Sequence, residues 1–292
     1  MEIPSWPASR DLDISDKPLF DRIFEQMQPR VSELTFAGLY LFRTAHEYVL
    51  SRIGDSIVVQ GRGYDGAYYS LPPLGGDAPA ACDQLLGAGL ELYGVEDAYV
   101  SRFLKDVKCE IVEDRESFDY LYLREEMAIL PGNRFHKKKN RINYFTARHT
   151  HEVNVLSAQY LCGCLQLLDE WGRIAEVEGN RSFGLEMDAT VEALAQAEVL
   201  GLEGIVVLVE GRVRAFALGE RLNRETAVCH FEKADHFMEG LSQLVNREFS
   251  RLLFGDCRYI NREQDLGEPG LRNSKLSYHP VELVKKFRVR RK

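Results

Sequence analysis

Apolar residues first recur at helical spacing in DKPLFDRIFEQMQ, where Leu19, Phe20, Ile23, Phe24 and Met27 share one face behind Asp16, a capping residue, and Pro18, which suits a first helical turn. The spacing predicts a helix. The period then shortens. From Ile57 to Pro72, IVVQGRGYDGAYYSLP consists of two extended runs flanking Asp65-Gly66, a dipeptide suited to the positive backbone angles of a tight turn, so a hairpin is predicted. DAPAACDQLLGAGLELYG then reads as helix, DVKCEIVED as strand, and DYLYLREEMAIL as helix, ending at Pro131-Gly132.

The second half repeats the sequence of patterns. HTHEVNVLS reads as strand, and AQYLCGCLQLLDEW and SFGLEMDATVEALAQAEVLG as helices. GIVVLVEGRVRAFALGERL forms a second hairpin pattern, turning at Glu210-Gly211. TAVCHFEKAD follows as strand, and MEGLSQLVNREFSRLLF as a long helix. FAGLYLF at Phe36 and SFGLEM at Ser182 each lead, about eighteen residues later, into a glycine-bounded hairpin, which suggests duplication of one α/β unit. At 292 residues the chain exceeds the usual single-domain size, so two domains are expected, residues 1–148 and 149–292.

Composition narrows the class. A hydrophobic fraction of 45% with 28% charged residues excludes a disordered or fibrous chain. MEIPSWPASR lacks the pattern of a secretory signal, and runs such as GIVVLVEG are far too short to span a bilayer, so no transmembrane segment and a cytoplasmic location are expected. The cysteines Cys82, Cys109, Cys162, Cys164, Cys229 and Cys257 then read as reduced thiols. His149 and His151 have no Cys or carboxylate partner at metal-site spacing, and no metal is expected.

A net charge of −8 argues against nucleic-acid binding by the surface as a whole. Local clusters differ. RFHKKKNR gathers Arg134, Lys137, Lys138, Lys139 and Arg141 without an acid, and KKFRVRRK ends the chain with further cations. Crowded like charges repel unless well solvated or faced by an anion, and the end of the chain reads more readily as a solvated, frayed tail.

Helix, hairpin, strand, helix, strand, helix is the order of an N-acetyltransferase (GNAT) type acyltransferase domain. FHKKKNRINYF, together with INREQDLGEPGLRNSKLSYHP near the end, resembles the phosphatidylglycerol lysyltransferase C-terminal domain-like family, and the resemblance runs from the first helix to the last. It implies an α+β fold of two tandem GNAT-like (acyl-CoA N-acyltransferase-like) domains, with mixed central sheets flanked by helices, related to the Fem peptidyltransferases. The implied reaction is aminoacyl transfer from aminoacyl-tRNA, as co-substrate, to a lipid, peptide or protein acceptor, without a prosthetic group. The membrane-embedded region of the lysyltransferases has no counterpart in this chain, which leaves the acceptor open; the basic tail would be its route to an anionic membrane.

Such a transfer starts from an activated ester and needs orientation and oxyanion stabilisation more than titrating groups. Lys137, Lys138, Lys139 and Arg141 fit the phosphates of a tRNA acceptor end, with Ile142 and Phe145 turned inward. In the late polar loop, Gly267, Pro269 and Gly270 would fix a rigid turn. Asn261, Glu263 and Asp265 would supply acceptors, with Glu263 or Asp265 facing an ammonium and Arg272 or Lys275 a phosphate or carboxylate. Asp265 and Tyr278 are the catalytic candidates, Tyr278 as donor to the oxyanion or as proton relay. The alternative for these charges is mutual pairing that pins the loop. The basic cluster and the polar loop are expected to converge on one groove. Acetyl-coenzyme A is the alternative donor, disfavoured because EKADHFMEG lacks the close glycines that cradle a pyrophosphate. A non-catalytic binding module of the same fold is the third reading.

Overall fold

The computed structural model describes residues 2–176 and 181–292, and the side chains of residues 173–176 and 181–183 lie outside that description. Ser182 and Phe183, which open the second copy of the expected repeat, are therefore known only as backbone of the helix Arg181–Ala195. The chain forms two compact units. The first comprises Met1–Asp119, Gln264–Arg272 and Leu283–Lys292, and the second Tyr120–Glu263 and Asn273–Glu282. These bounds differ from the halves 1–148 and 149–292, because the chain returns to the first unit near its end.

The sheet of the first unit has the strand order Arg10–Asp11, Val49–Ile53, Ser56–Arg62, Tyr68–Ser70, Glu91–Glu96, Lys286–Arg291, Cys109–Glu113. The sheet of the second runs His151–Val155, Glu203–Val209, Arg212–Asn223, Thr226–Ala234, Tyr259–Asn261, Asp119–Leu123, Glu282–Val284. Written this way the two rows match position by position. In each, the fourth and fifth strands are parallel. A parallel pair needs a crossover, supplied by the helix Ala78–Gly87 in one unit and Leu241–Leu252 in the other. The topology is thus repeated, but offset from the sequence reading: the hairpin from Ile57 uses the third and fourth strands of its sheet, and that from Gly204 the second and third.

Each unit has its own core. In the first, Val58, Cys82, Leu85, Leu92, Val95 and Val289 are fully buried together. In the second, the helix Leu241–Leu252 lays Leu244, Val245 and Phe249 against the strands Arg212–Asn223 and Thr226–Ala234. Its approach requires Gly219, where an added Cβ would fall 2.1 Å from the carbonyl oxygen of Val228 and 2.8 Å from the Phe249 ring.

Several readings change. Asp119–Leu123 is a strand, and only Arg124–Ile129 is helical. Tyr120, Leu121 and Tyr122 are all buried, so the run is apolar on both faces, a pattern that periodicity alone cannot assign. The helix over Ala78 stops at Gly87, and ELYG opens the strand Glu91–Glu96. Pro269 and Gly270 do not turn the late loop: they begin a helix, Pro269–Leu276, and the turn is made by Gly267 at φ +78°. The basic tail is not frayed. Lys286–Arg291 is a central strand with Val289 and Lys286 fully buried. Its cations meet acids: Lys285 meets Glu113, Arg288 meets Asp114 and Glu91, and Arg290 meets Glu91. No helix among the described residues is long and apolar enough to cross a membrane.

Candidate active site

The second sheet opens along its parallel pair. Thr226, Ala227 and Val228 pair with Tyr259, Ile260 and Asn261, and there the ladder ends. Thr226–Ala234 continues beside Arg212–Asn223 as far as Ala234. The other strand leaves with Asp119–Leu123: the Arg262 amide donates to the Tyr120 carbonyl at 2.9 Å, and the Tyr120 amide to the Glu263 carbonyl at 3.2 Å. Two side-chain bridges cross the resulting split. His230 Nδ1 lies 2.7 Å from Glu263 Oε1, and Arg262 Nη2 donates to Glu232 Oε2 at 2.6 Å. His230 sits at a β-bulge of its strand, between the pairs Gly219–Cys229 and Leu218–Phe231, and Glu232 follows opposite Ala217.

The bridges have opposite character. His230 is held on its other face by Glu220, with Nε2 to Oε1 at 2.9 Å. Burial opposes the imidazolium, but two carboxylates hold it and raise its pKa to about 10. One cation between two anions leaves this end of the opening net negative, with Glu263 partly exposed. Around Arg262 the balance reverses. Lys138, from the helix His136–Thr146, places Nζ 3.8 Å from the centroid of the Tyr278 ring, and the Arg262 guanidinium carbon lies 5.9 Å from it. Lys275 Nζ donates to the Arg262 carbonyl at 2.5 Å. Burial pushes Lys138 down to about 8, helped by Arg141 and Arg262 against the pull of Glu232. Burial also keeps the Tyr278 phenol protonated by raising its pKa, so the phenol is a donor and not a base.

The corresponding opening of the first unit is filled. Tyr69 and Ser70 pair in parallel with Glu91 and Leu92. Buried Lys286 donates to Asp119 at 2.7 Å and to Glu33 at 2.5 Å. Gln264 donates to the second oxygen of Glu33 at 2.8 Å, and Ser32 donates to both oxygens of Asp119. A network satisfied in this way has a structural role and leaves no group for a ligand.

The family description "Phosphatidylglycerol lysyltransferase, C-terminal" matches residues 24–290. The chain belongs to this family. A protein of unknown function from Bacteroides thetaiotaomicron VPI-5482 is 30% identical, with a TM-score of 0.89 over 97% of this chain and 99% of that one. The structure of L-PGS from Bacillus licheniformis shares the fold at 14% identity, with a TM-score of 0.63 over 100% of this chain and 94% of that one. An uncharacterised protein of Mycoplasmoides gallisepticum strain R(low / passage 15 / clone 2) is 24% identical over 212 residues, which span 69% of this chain and 62% of that protein. The fold of this lysyltransferase-family chain is tandem GNAT-like, α+β, with two mixed sheets flanked by helices.

Within this family member the sequence-read residues divide. Lys137, Lys138, Lys139, Arg141, Asn261, Glu263, Lys275 and Tyr278 belong to the second unit, and Asp265 and Arg272 to the first. Lys138, Glu263, Lys275 and Tyr278 gather at the opening. Asn261 is buried, and its side chain accepts from the Glu263 amide at 2.8 Å, fixing the turn that presents Glu263. Lys137 and Arg141 stay exposed, and Lys139 donates to the Gly132 carbonyl. Asp265 is the correction. Fully buried, its carboxylate accepts from Arg272 Nε and Nη2 at 2.9 and 2.8 Å, from Arg115 at 3.1 Å and from the Gly267 amide at 2.9 Å. A carboxylate so occupied pins its loop and cannot meet an ammonium, and Arg272 is committed with it. Arg262, Glu232, His230 and Glu220 were passed over as site residues, although Arg262 lies within the quoted polar stretch and His230 and Glu232 alternate along a predicted strand.

Proposed function

We propose that the chain is an aminoacyltransferase that takes an amino acid from aminoacyl-tRNA and passes it to an amine or hydroxyl acceptor at the opening of the second sheet. The observation that carries this reading is the pair of opposite poles within one split: Glu220–His230–Glu263, net negative, and Lys138, Arg262 and Lys275 about a single Glu232, net positive. An aminoacyl ester on a nucleotide presents the matching pair, an α-ammonium and a phosphate, on either side of its carbonyl.

In the transfer, the acceptor nitrogen or oxygen forms a bond to the ester carbonyl carbon. The tetrahedral oxyanion collapses with loss of the ribose oxygen, and the acceptor's proton ends on that oxygen. Glu263 orients the ammonium, and Tyr278, kept protonated by burial, donates to the oxyanion. An acyl-coenzyme A donor fits less well. In the turn after Thr226–Ala234, the Phe237 amide already donates to Asp235 Oδ1 at 3.0 Å, placing a carboxylate where a pyrophosphate would need free amides. Gly240, at the helix start, lies against the Arg141 carbonyl, 2.0 Å from where a Cβ would be.

The test is to incubate the purified chain with tRNA bearing radiolabelled amino acids and with lipid, peptide and protein acceptors, alongside acetyl-coenzyme A assays and calorimetry. Label should move from tRNA to one acceptor class, and Tyr278→Phe should slow it about a hundredfold, as loss of an oxyanion donor does. Acetyl transfer without aminoacyl transfer would replace this reading with the coenzyme A one. Binding of neither donor would leave a non-catalytic module.

A further inference from the structure

The sheet of the first unit ends in the strand Cys109–Glu113, which pairs on one side with Lys286–Arg291 and on the other with no strand among the described residues. Of the four strands at sheet edges, it alone has four consecutive exposed residues, Glu110 to Glu113, so neither of its faces is covered. Ile111 and Val112 are among them, 39% and 44% exposed on opposite faces. The other edges are shorter or better shielded: Arg10–Asp11 has two residues, Glu282–Val284 three, and His151–Val155 keeps three of its five half-buried. A strand held by one ladder and covered on neither face is marginal by itself, and its open edge is a template for another strand.

The ladder fixes which groups that edge offers. Glu113 pairs with Phe287, Val112 with Arg288, Ile111 with Val289, Glu110 with Arg290 and Cys109 with Arg291. Asp114, next in the series, donates its amide inward to the Lys286 carbonyl at 2.9 Å. Directions alternate along an antiparallel ladder, so Val112 and Glu110 also bond inward, and Cys109, Ile111 and Glu113 present their amides and carbonyls outward. A second copy approaching antiparallel bonds only where outward residues meet outward residues, which leaves three registers that overlap by three residues or more. Two of them set like charges face to face, Glu110 against Glu110 or Glu110 against Asp114. The third, with Ile111 opposite Ile111, sets none: Cys109 faces Glu113, Glu110 faces Val112, and Lys108 faces Asp114. In that register the Ile111 pair lies next to Val289, which is fully buried, and each Glu113 brings Lys285 as its own counterion.

We infer that the strand Cys109–Glu113 pairs with the same strand of a second copy, antiparallel about Ile111, and so joins two first-unit sheets edge to edge. Cys109, Ile111 and Glu113 of each copy supply three amides and three carbonyls, and the two-fold pairing closes with six main-chain hydrogen bonds. This inference does not depend on the proposed transfer, and an inactive protein would not bear on it. So small an interface predicts a weak dimer, with a dissociation constant on the order of tens of micromolar.

Sedimentation equilibrium of the full chain, from about 5 to 500 μM, measures that association. Ile111→Pro removes an outward amide and none from the ladder with Lys286–Arg291, so the variant should fold, as circular dichroism will show, and should stay monomeric. The register is tested by charge. Val112→Lys puts a cation opposite the partner's Glu110, twice by symmetry, and should tighten the dimer about fivefold, whereas Val112→Glu should weaken it about fivefold. Adding Glu110→Lys to Val112→Glu should restore the wild-type affinity. A chain that is monomeric at about 0.5 mM overturns the inference, as does a dimer that folded Ile111→Pro leaves intact. Open-ended oligomers in place of a dimer overturn the closed two-fold pairing, and a dimer insensitive to the charge of residue 112 overturns the register about Ile111.

Discussion

His230 shows how one side chain can hold the split strands together. Its ring nitrogens lie 2.7 Å from Glu263 and 2.9 Å from Glu220, and 2% of its side chain is exposed. Burial alone would favour the neutral ring, but the two carboxylates win and raise the pKa to about 10, against roughly 6.5 in an unfolded chain. The folded state therefore retains a proton that the unfolded state releases. The stability this confers is fully present below pH 6.5 and is lost as pH rises towards 10, at no more than about 1.4 kcal/mol per pH unit. Urea unfolding at pH 6.5 and pH 9 should show this loss in the wild type. In His230→Gln the decline should be shallower, and an equal decline in both proteins would show that other groups cause it.

At the scale of elements, the stretch from Ile260 to Pro280 carries two functions that its sequence blends. Arg262, Glu263, Lys275 and Tyr278 serve the opening, while Asp265, Arg272 and Gly267 fix the chain between them. Asp265→Ala should leave Arg272 and Arg115 without their buried acceptor and lower stability by about 3 kcal/mol in urea unfolding. Tyr278→Phe should unfold at wild-type urea concentrations. An Asp265→Ala protein of normal stability would reopen a direct role for that carboxylate. Helices with a polar face and hairpins with Asp-Gly or Glu-Gly turns were legible, because periodicity and turn chemistry are local. Asp119–Leu123 and Lys286–Arg291 were not, because their identity as central strands depends on neighbours distant in the chain. For the same reason Lys138 and Lys139 look alike in sequence, although one rests on the ring of Tyr278 and the other donates to the Gly132 carbonyl.

At the scale of the whole molecule, the sixth strand of each sheet comes from outside the run of chain that supplies the others. Asp119–Leu123 fills that place in the second sheet and Lys286–Arg291 in the first. The last strand lies between Glu91–Glu96 and Cys109–Glu113, pairing with both, and brings Val289 into the core and Lys286 to Glu33 and Asp119. Removing residues 285–292 would divide the first sheet and leave two carboxylates buried without their cation. Hydrogen exchange on the truncated chain should show lost protection at Glu91–Glu96 and Cys109–Glu113, with Glu203–Val209 and Arg212–Asn223 still protected. Lys286→Met separates charge from strand: it keeps the ladder and should destabilise by about 3–5 kcal/mol, because one partner of a buried ion network is gone. If the truncated chain kept protection in both sheets, the end of the chain would be the dispensable tail that its charge suggests, and the strand exchange would have no part in stability.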